Sequence, residues 1–162
     1  MPAMVQKEHA ERTPAGQLEE ARLHAVLGYQ LAQAAIVTQD LFASHAGKPF
    51  DLRPVDYTVL TLIAENPGGS LVRLARALAM SPPNITVIVD RLQARGLVAR
   101  AQGASDRRTQ ELKTTPQGAK LVRKATEAIL AAEQQALPLT RGEHALLLEL
   151  LHKVACARPG RG

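Results

Sequence analysis

Asp106, Arg107 and Arg108 stand together in a stretch rich in Gly, Ser and Gln. An arginine at the tip of such a turn has the charge and reach to enter a duplex minor groove, where narrow A·T-rich DNA concentrates negative potential. Asp106, two residues from Arg108, can fix that guanidinium through a charge-assisted hydrogen bond. Arg107 is the alternative groove residue or a phosphate contact. A second group lies upstream, from Ser81 to Arg91. Asn84 has the amide that pairs with an adenine edge, and Val87 has the methyl groups that meet a thymine methyl. Pro83, Thr86 and Arg91 fall on the same outward side. Ser81, Arg73, Arg76 and Arg95 suit phosphate oxygens, which position a protein without specifying sequence. The chemistry on offer is recognition of a polyanion. The plainer readings are a polar turn at 106–108, a surface lining at 83–87 and solvated arginines elsewhere.

Charge distribution favours recognition. Residues 70–124 hold 11 Lys and Arg against 3 Asp and Glu, whereas residues 1–69 hold 5 against 8. A concentrated basic region attracts a polyanion by releasing its counterions. With 46% apolar residues the chain can build a core, and with 2% aromatics and no Trp that core must be aliphatic, which suits packed helices. No run of eighteen apolar residues is present, and the start of the chain lacks the apolar segment of a signal peptide. One cysteine, Cys156, cannot form an internal disulfide. The cytoplasm is therefore the expected compartment.

The elements that must hold these residues follow from periodicity and punctuation. Residues 1–17 read as a flexible tail. Leu23, Leu27, Leu31, Ala34, Val37 and Leu41 recur at helical spacing, so a long helix is expected from Leu18 to Ser44, ended by His45 to Pro49. Pro54 opens a second helix with Tyr57, Leu60, Ile63 and Ala64 inside. Asn66-Pro-Gly-Gly69 stops it, and Ser70 can cap a short third helix. Ser81 and Pro82 start a fourth, whose Ile85, Ile88, Val89 and Leu92 face inward. Only Ala79 and Met80 separate the third and fourth, the connection of a helix-turn-helix. Strands at 97–100 and 109–114 flank the arginine turn. Thr115-Pro116 starts a fifth helix reaching Ala136, and Thr140 with Glu143 forms a capping box for a sixth. The class is mainly α with a small β-wing: a winged helix-turn-helix plus terminal helices. Those terminal helices carry apolar faces outside the compact unit, and the economical explanation is packing against a second copy. The expected domains are a tail (1–17), a dimerisation helix (18–50), the winged lobe (51–115), dimerisation helices (116–158) and a C-terminal tail (159–162).

With these elements in order, the chain resembles the MarR family of bacterial transcription regulators. The resemblance is carried by Leu74-Ala75, Leu78, Val89-Asp90-Arg91-Leu92, Arg95-Gly96-Leu97-Val98, Arg100, Asp106-Arg107-Arg108 and Thr115-Pro-Gln-Gly118. It spans about residues 18–155. It implies a homodimer bound to a pseudo-palindromic operator on double-stranded DNA. It also implies a repressor released by a small effector, often an aromatic or phenolic acid, lodged between the dimer helices and the lobe. His24, Arg53 and Tyr57 are candidates for that pocket, each with packing or capping as its plainer role. The chain departs from the family pattern at Pro82, Pro83 and Val87, which leave the groove face less charged than usual, and at Thr114 where Leu is usual.

Other functions find little support. There is no Gly-rich phosphate loop, nucleophile elbow or paired carboxylates, so no enzyme and no cofactor is expected. His144 and His152, two turns apart, lack ligand spacing, so no metal is expected. Family members that sense peroxide carry their cysteine near the start of the first helix, unlike Cys156. The alternatives are a winged-helix module that binds protein, or an activator without a small-molecule ligand.

Overall fold

The computed structural model describes residues 12–102 and 110–158. Helix α1 spans Leu27–Phe42 and continues through a π-helical stretch, Ala43–Gly47, into a helical turn, Lys48–Phe50. Asp51, in the left-handed conformation at φ 49°, closes it. The expected helix therefore starts late and ends late. Residues 12–25 fold mostly as turns, with a bridge between Arg12 and Glu19, and Val26 is extended. Glu20, 7% exposed, accepts a hydrogen bond from the Tyr29 hydroxyl at 2.5 Å. That bond, with partial desolvation of the phenol, raises the pKa of Tyr29. The helix survives His45–Pro49 because a π-turn absorbs the change of register. Pro49 then sits in the first turn of the Lys48–Phe50 segment, where its missing N–H costs no bond.

Helix α2, Pro54–Glu65, begins at extended Arg53 with proline at the first helical position. Helix α3 is Leu71–Leu78 and helix α4 is Pro82–Ala94. Strand β1, Val98–Gln102, pairs antiparallel with β2, Gln110–Thr114, placing Val98 opposite Thr114 and Arg100 opposite Leu112. Helix α5 is Pro116–Ala136 and α6 is Arg141–Ala155. The arrangement is mainly helical with a two-stranded wing, as the sequence implied. The wing gains one further rung. Gly69 bridges Leu112, with the Gly68 amide donating to the Leu112 carbonyl at 2.9 Å and the Leu112 amide to Gly69 at 3.0 Å. The loop between α2 and α3 thus fixes β2 to the helices.

One aliphatic core holds the lobe together. Val59, Leu60 and Ile63 of α2 meet Leu74 and Ala75 of α3, Ile85, Ile88, Val89 and Leu92 of α4, and Leu97, Val98 and Leu112 of the wing. Each large side chain fully buried there contributes about 1.5–3 kcal/mol. Val122 joins from α5, whose start is pinned to the same core. The Thr115 hydroxyl donates to the Gly96 carbonyl at 2.7 Å and accepts from the Gly118 amide at 3.0 Å. A smaller cluster joins Ala46, Leu52 and Ala125, with Phe42, Phe50, Tyr57 and Ile129 packed against it. It ties the end of α1 to the lobe.

Candidate nucleic-acid interface

The surface that could meet a duplex is built on α3, the turn and α4. Helix α3 ends because Ala79 adopts φ 52°, letting its amide and that of Met80 return to the carbonyls of Arg76 and Ala75 at 3.2 and 3.0 Å. Helix α4 then leaves with its apolar stripe inward and Pro83, Asn84 and Val87 exposed. Val87 is 60% exposed. Ser81 takes the cap position, but its side chain makes no capping bond. Proline occupies the first two helical positions, which leaves the Asn84 amide as the cap's target, and Ser81 does not engage it. The Ser81 hydroxyl is exposed and is not engaged by the helix.

Three groups on α4 are committed inward or along the helix. Thr86, half-buried, donates its hydroxyl to the Pro82 carbonyl at 3.0 Å. Arg91 forms a two-pronged ion pair with Asp56 of α2; its Nε donates to Asp56 Oδ2 at 3.1 Å and its Nη2 donates to Oδ1. Asp56 is 2% exposed. The carboxylate raises the pKa of Arg91 still further above its already high value. Asp90 accepts from Arg100 of β1 at 2.5 Å, fastening the wing to the helix. Arg95, beyond the helix end, donates to the carbonyls of Asp51 at 2.5 Å and Phe50 at 3.1 Å. Arg91 and Arg95 thus have a structural task each: one braces α4 on α2, the other staples α4 to the end of α1.

Arg73 and Arg76 are exposed on α3. Asp106, Arg107 and Arg108 lie outside the described residues. The three effector-pocket candidates have separate surroundings. Tyr57 is half-buried, hydrogen-bonded to Thr126 of α5 at 2.7 Å and tilted against Phe42 with ring centroids 5.7 Å apart. Arg53 is exposed at the start of α2. His24 lies in the turns before α1, 3.8 Å from the Glu20 carboxylate. Neither of two cavities, about 100 Å³ beside Arg73 and about 230 Å³ at the elbow of α5 and α6, is lined by any of the three. Among the described residues no three His, Cys, Asp or Glu side chains gather as a metal site. His144 is 3.9 Å from Glu133, and His152 contacts Cys156 at 3.6 Å. No helix among the described residues is long and apolar enough to cross a membrane.

The sequence reading missed Asp56 and the Arg100–Asp90 pair. The signal for Asp56 was present: it shares a helical stripe with Val59, Leu60 and Ile63, so a carboxylate stood in line with core residues.

Comparison with known proteins decides the lineage. The MarR family pattern matches residues 52–109. A transcriptional regulatory protein for the hcr operon of Thauera aromatica is 30% identical over 129 residues, covering 79% of this chain and 78% of that one. The chain belongs to the MarR family. The transcriptional repressor CouR, solved bound to a 23-mer DNA duplex, superposes with a TM-score of 0.76 at 30% identity, over 85% of this chain and 98% of that one. CouR from Rhodococcus jostii RHA1 bound to p-coumaroyl-CoA gives 0.72 at 27% identity, over 82% and 94%. The winged helix-turn-helix is that of MarR-type transcriptional regulators.

Proposed function

We propose that this MarR-type regulator is a dimeric repressor. It binds a pseudo-palindromic operator through α4 and the wing, and is released by a small aromatic acid or its thioester. The observation that carries the reading is the outward face of α4. Pro83, Asn84 and Val87 stand exposed on a helix whose other side is locked into the core, in a chain similar to a repressor solved on DNA. Thr86 joins that face. Ser81, Arg73 and Arg76 meet phosphates around it, Arg91 and Arg95 hold the helix from beneath, and Arg108 enters the minor groove with Asp106 and Arg107 at the wing tip. The effector seat lies by Tyr57, with Arg53 at the start of α2 to receive a carboxylate. His24, set before α1, is the more distant candidate. A thioester enters the reading because a similar regulator is solved with p-coumaroyl-CoA.

The test is titration of the protein onto duplex DNA from the region flanking its own gene, followed by fluorescence anisotropy. Saturable binding that weakens steeply with salt is expected. Arg108→Ala should lower affinity severely while the dimer stays folded. A panel of aromatic acids and their coenzyme A thioesters should contain a compound that dissociates the complex and raises the melting temperature. Salt-insensitive binding, or none, would refute the reading.

A further inference from the structure

The groove face of α4 is electrically neutral, and the structure removes each charge that might have made it otherwise. Asp90 is turned to Arg100 and Arg91 to Asp56. Thr86 spends its hydroxyl hydrogen on the Pro82 carbonyl. Pro83 has no N–H to offer. What remains outward in the first two turns is one amide, Asn84, and one large aliphatic side chain, Val87, three residues on and therefore on the same face. Val87 is 60% exposed in water, so contact with an apolar group in a groove would relieve a real hydration cost.

Among the four bases only thymine presents a methyl group in the major groove, and adenine presents the donor and acceptor that match an amide. We infer that Val87 is a specificity residue that reads a thymine methyl in each half-site, beside an adenine read by Asn84. This rests on the DNA-binding reading above and narrows it to the chemistry of one base. Arginine pairing to guanine, the commonest direct contact, has no arginine on the outward side of these two turns. Part of the recognition by α4 should then depend on a single methyl group of the DNA, with the surrounding arginines supplying affinity that is blind to sequence.

The experiment uses the intact protein and a randomised duplex pool. Bound sequences are enriched by repeated selection, and each thymine of the winning half-site is replaced in turn by deoxyuridine, which lacks only the methyl group. At one thymine the replacement should weaken the wild-type protein about four-fold per half-site, the value of one methyl group taken from water. Val87→Ala, at an exposed site that leaves the core intact, should bind the thymine duplex about four-fold more weakly per half-site and lose all sensitivity to the replacement. Deoxyuridine tolerated at every position would overturn the inference, as would sensitivity that persists in Val87→Ala. Failure to enrich any sequence, with no salt-dependent binding to bulk duplex, would instead overturn the DNA-binding reading and this inference together. Enrichment of sequences without sensitivity to the methyl would leave that reading standing and sink the inference alone.

Discussion

Asp56 is the residue whose chemistry is most constrained by its surroundings. A carboxylate 2% exposed has lost nearly all its water, and the Arg91 guanidinium replaces that water with a matching two-pronged donor set. Removing the cation strands the anion. Arg91→Ala should therefore lower folding stability by about 2 kcal/mol, below the usual cost of breaking a fully buried pair because Arg91 is partly exposed. Urea denaturation would measure it, and Arg73→Ala, exposed on α3, should leave the midpoint unchanged. An Arg91→Ala protein as stable as wild type would mean that water or another group satisfies Asp56. Gly118 is constrained in a different way. A methyl group built on its Cα would collide with the Leu97 carbonyl oxygen, a backbone atom that already accepts the Thr115 amide at 3.0 Å. Gly118→Ala should cost about 1–3 kcal/mol by forcing α5 away from the wing. Its signature would be a lower melting temperature; an unchanged one would mean that the helix start shifts freely.

At the scale of elements, stops and starts were legible where side-chain chemistry is local. Pro54, Pro116 and the Thr140–Glu143 box lie where the sequence put them, because a proline's fixed φ and a cap's hydrogen bond are decided within four residues. The start of α1 was not legible. Leu18 and Leu23 continue the apolar spacing, yet both remain exposed while Glu20 is buried against Tyr29, a tertiary contact that periodicity does not encode. The capping bond expected at Ser81 is absent, although the Asn84 amide stands at the position that Thr115 and Thr140 serve in their helices. The outward-facing residues of α4 were readable from its inward stripe. The inward commitments of Arg91 and Arg95 were not, since their partners lie 35 and 44 residues away. The capping box of α6 makes a pH prediction. Glu143 accepts from the Thr140 backbone amide at 2.7 Å, and that bond first, then the Thr140 hydroxyl, lowers its pKa below the ordinary 4.5. A carboxylate with a depressed folded-state pKa adds stability above its unfolded value and loses it as pH falls through the folded one. Helix α6 should thus fray on acidification below about pH 4.5. In Glu143→Gln the share of helical signal lost over that interval should shrink; an identical acid response in the variant would remove the box from the account.

The whole molecule poses one further demand. In α6 none of the residues is buried, and Leu146, Leu147, Leu148 and Leu150 are 42–55% exposed. In α1, Leu27, Leu31, Ile36 and Val37 stand 38–56% exposed. Exposed apolar surface on this scale marks an association face, and in the proposed dimer the same two helices of a second copy would supply the matching surface. The lobe, by contrast, is closed around its own core. Dimerisation and folding of the lobe should therefore separate. Leu150→Glu places a charge on the apolar face of α6 without touching a core residue. In sedimentation equilibrium it should shift the protein from dimer to monomer, while the lobe's unfolding transition persists. A monomer contacts only one half-site at a time and loses the benefit of linking two binding events. Affinity for the full palindrome should then fall by about 100-fold or more, and affinity for an isolated half-site should change little. A variant that remains dimeric would place the contact elsewhere on these helices. One that is monomeric yet binds the full site as tightly as wild type would show that the two lobes never acted together.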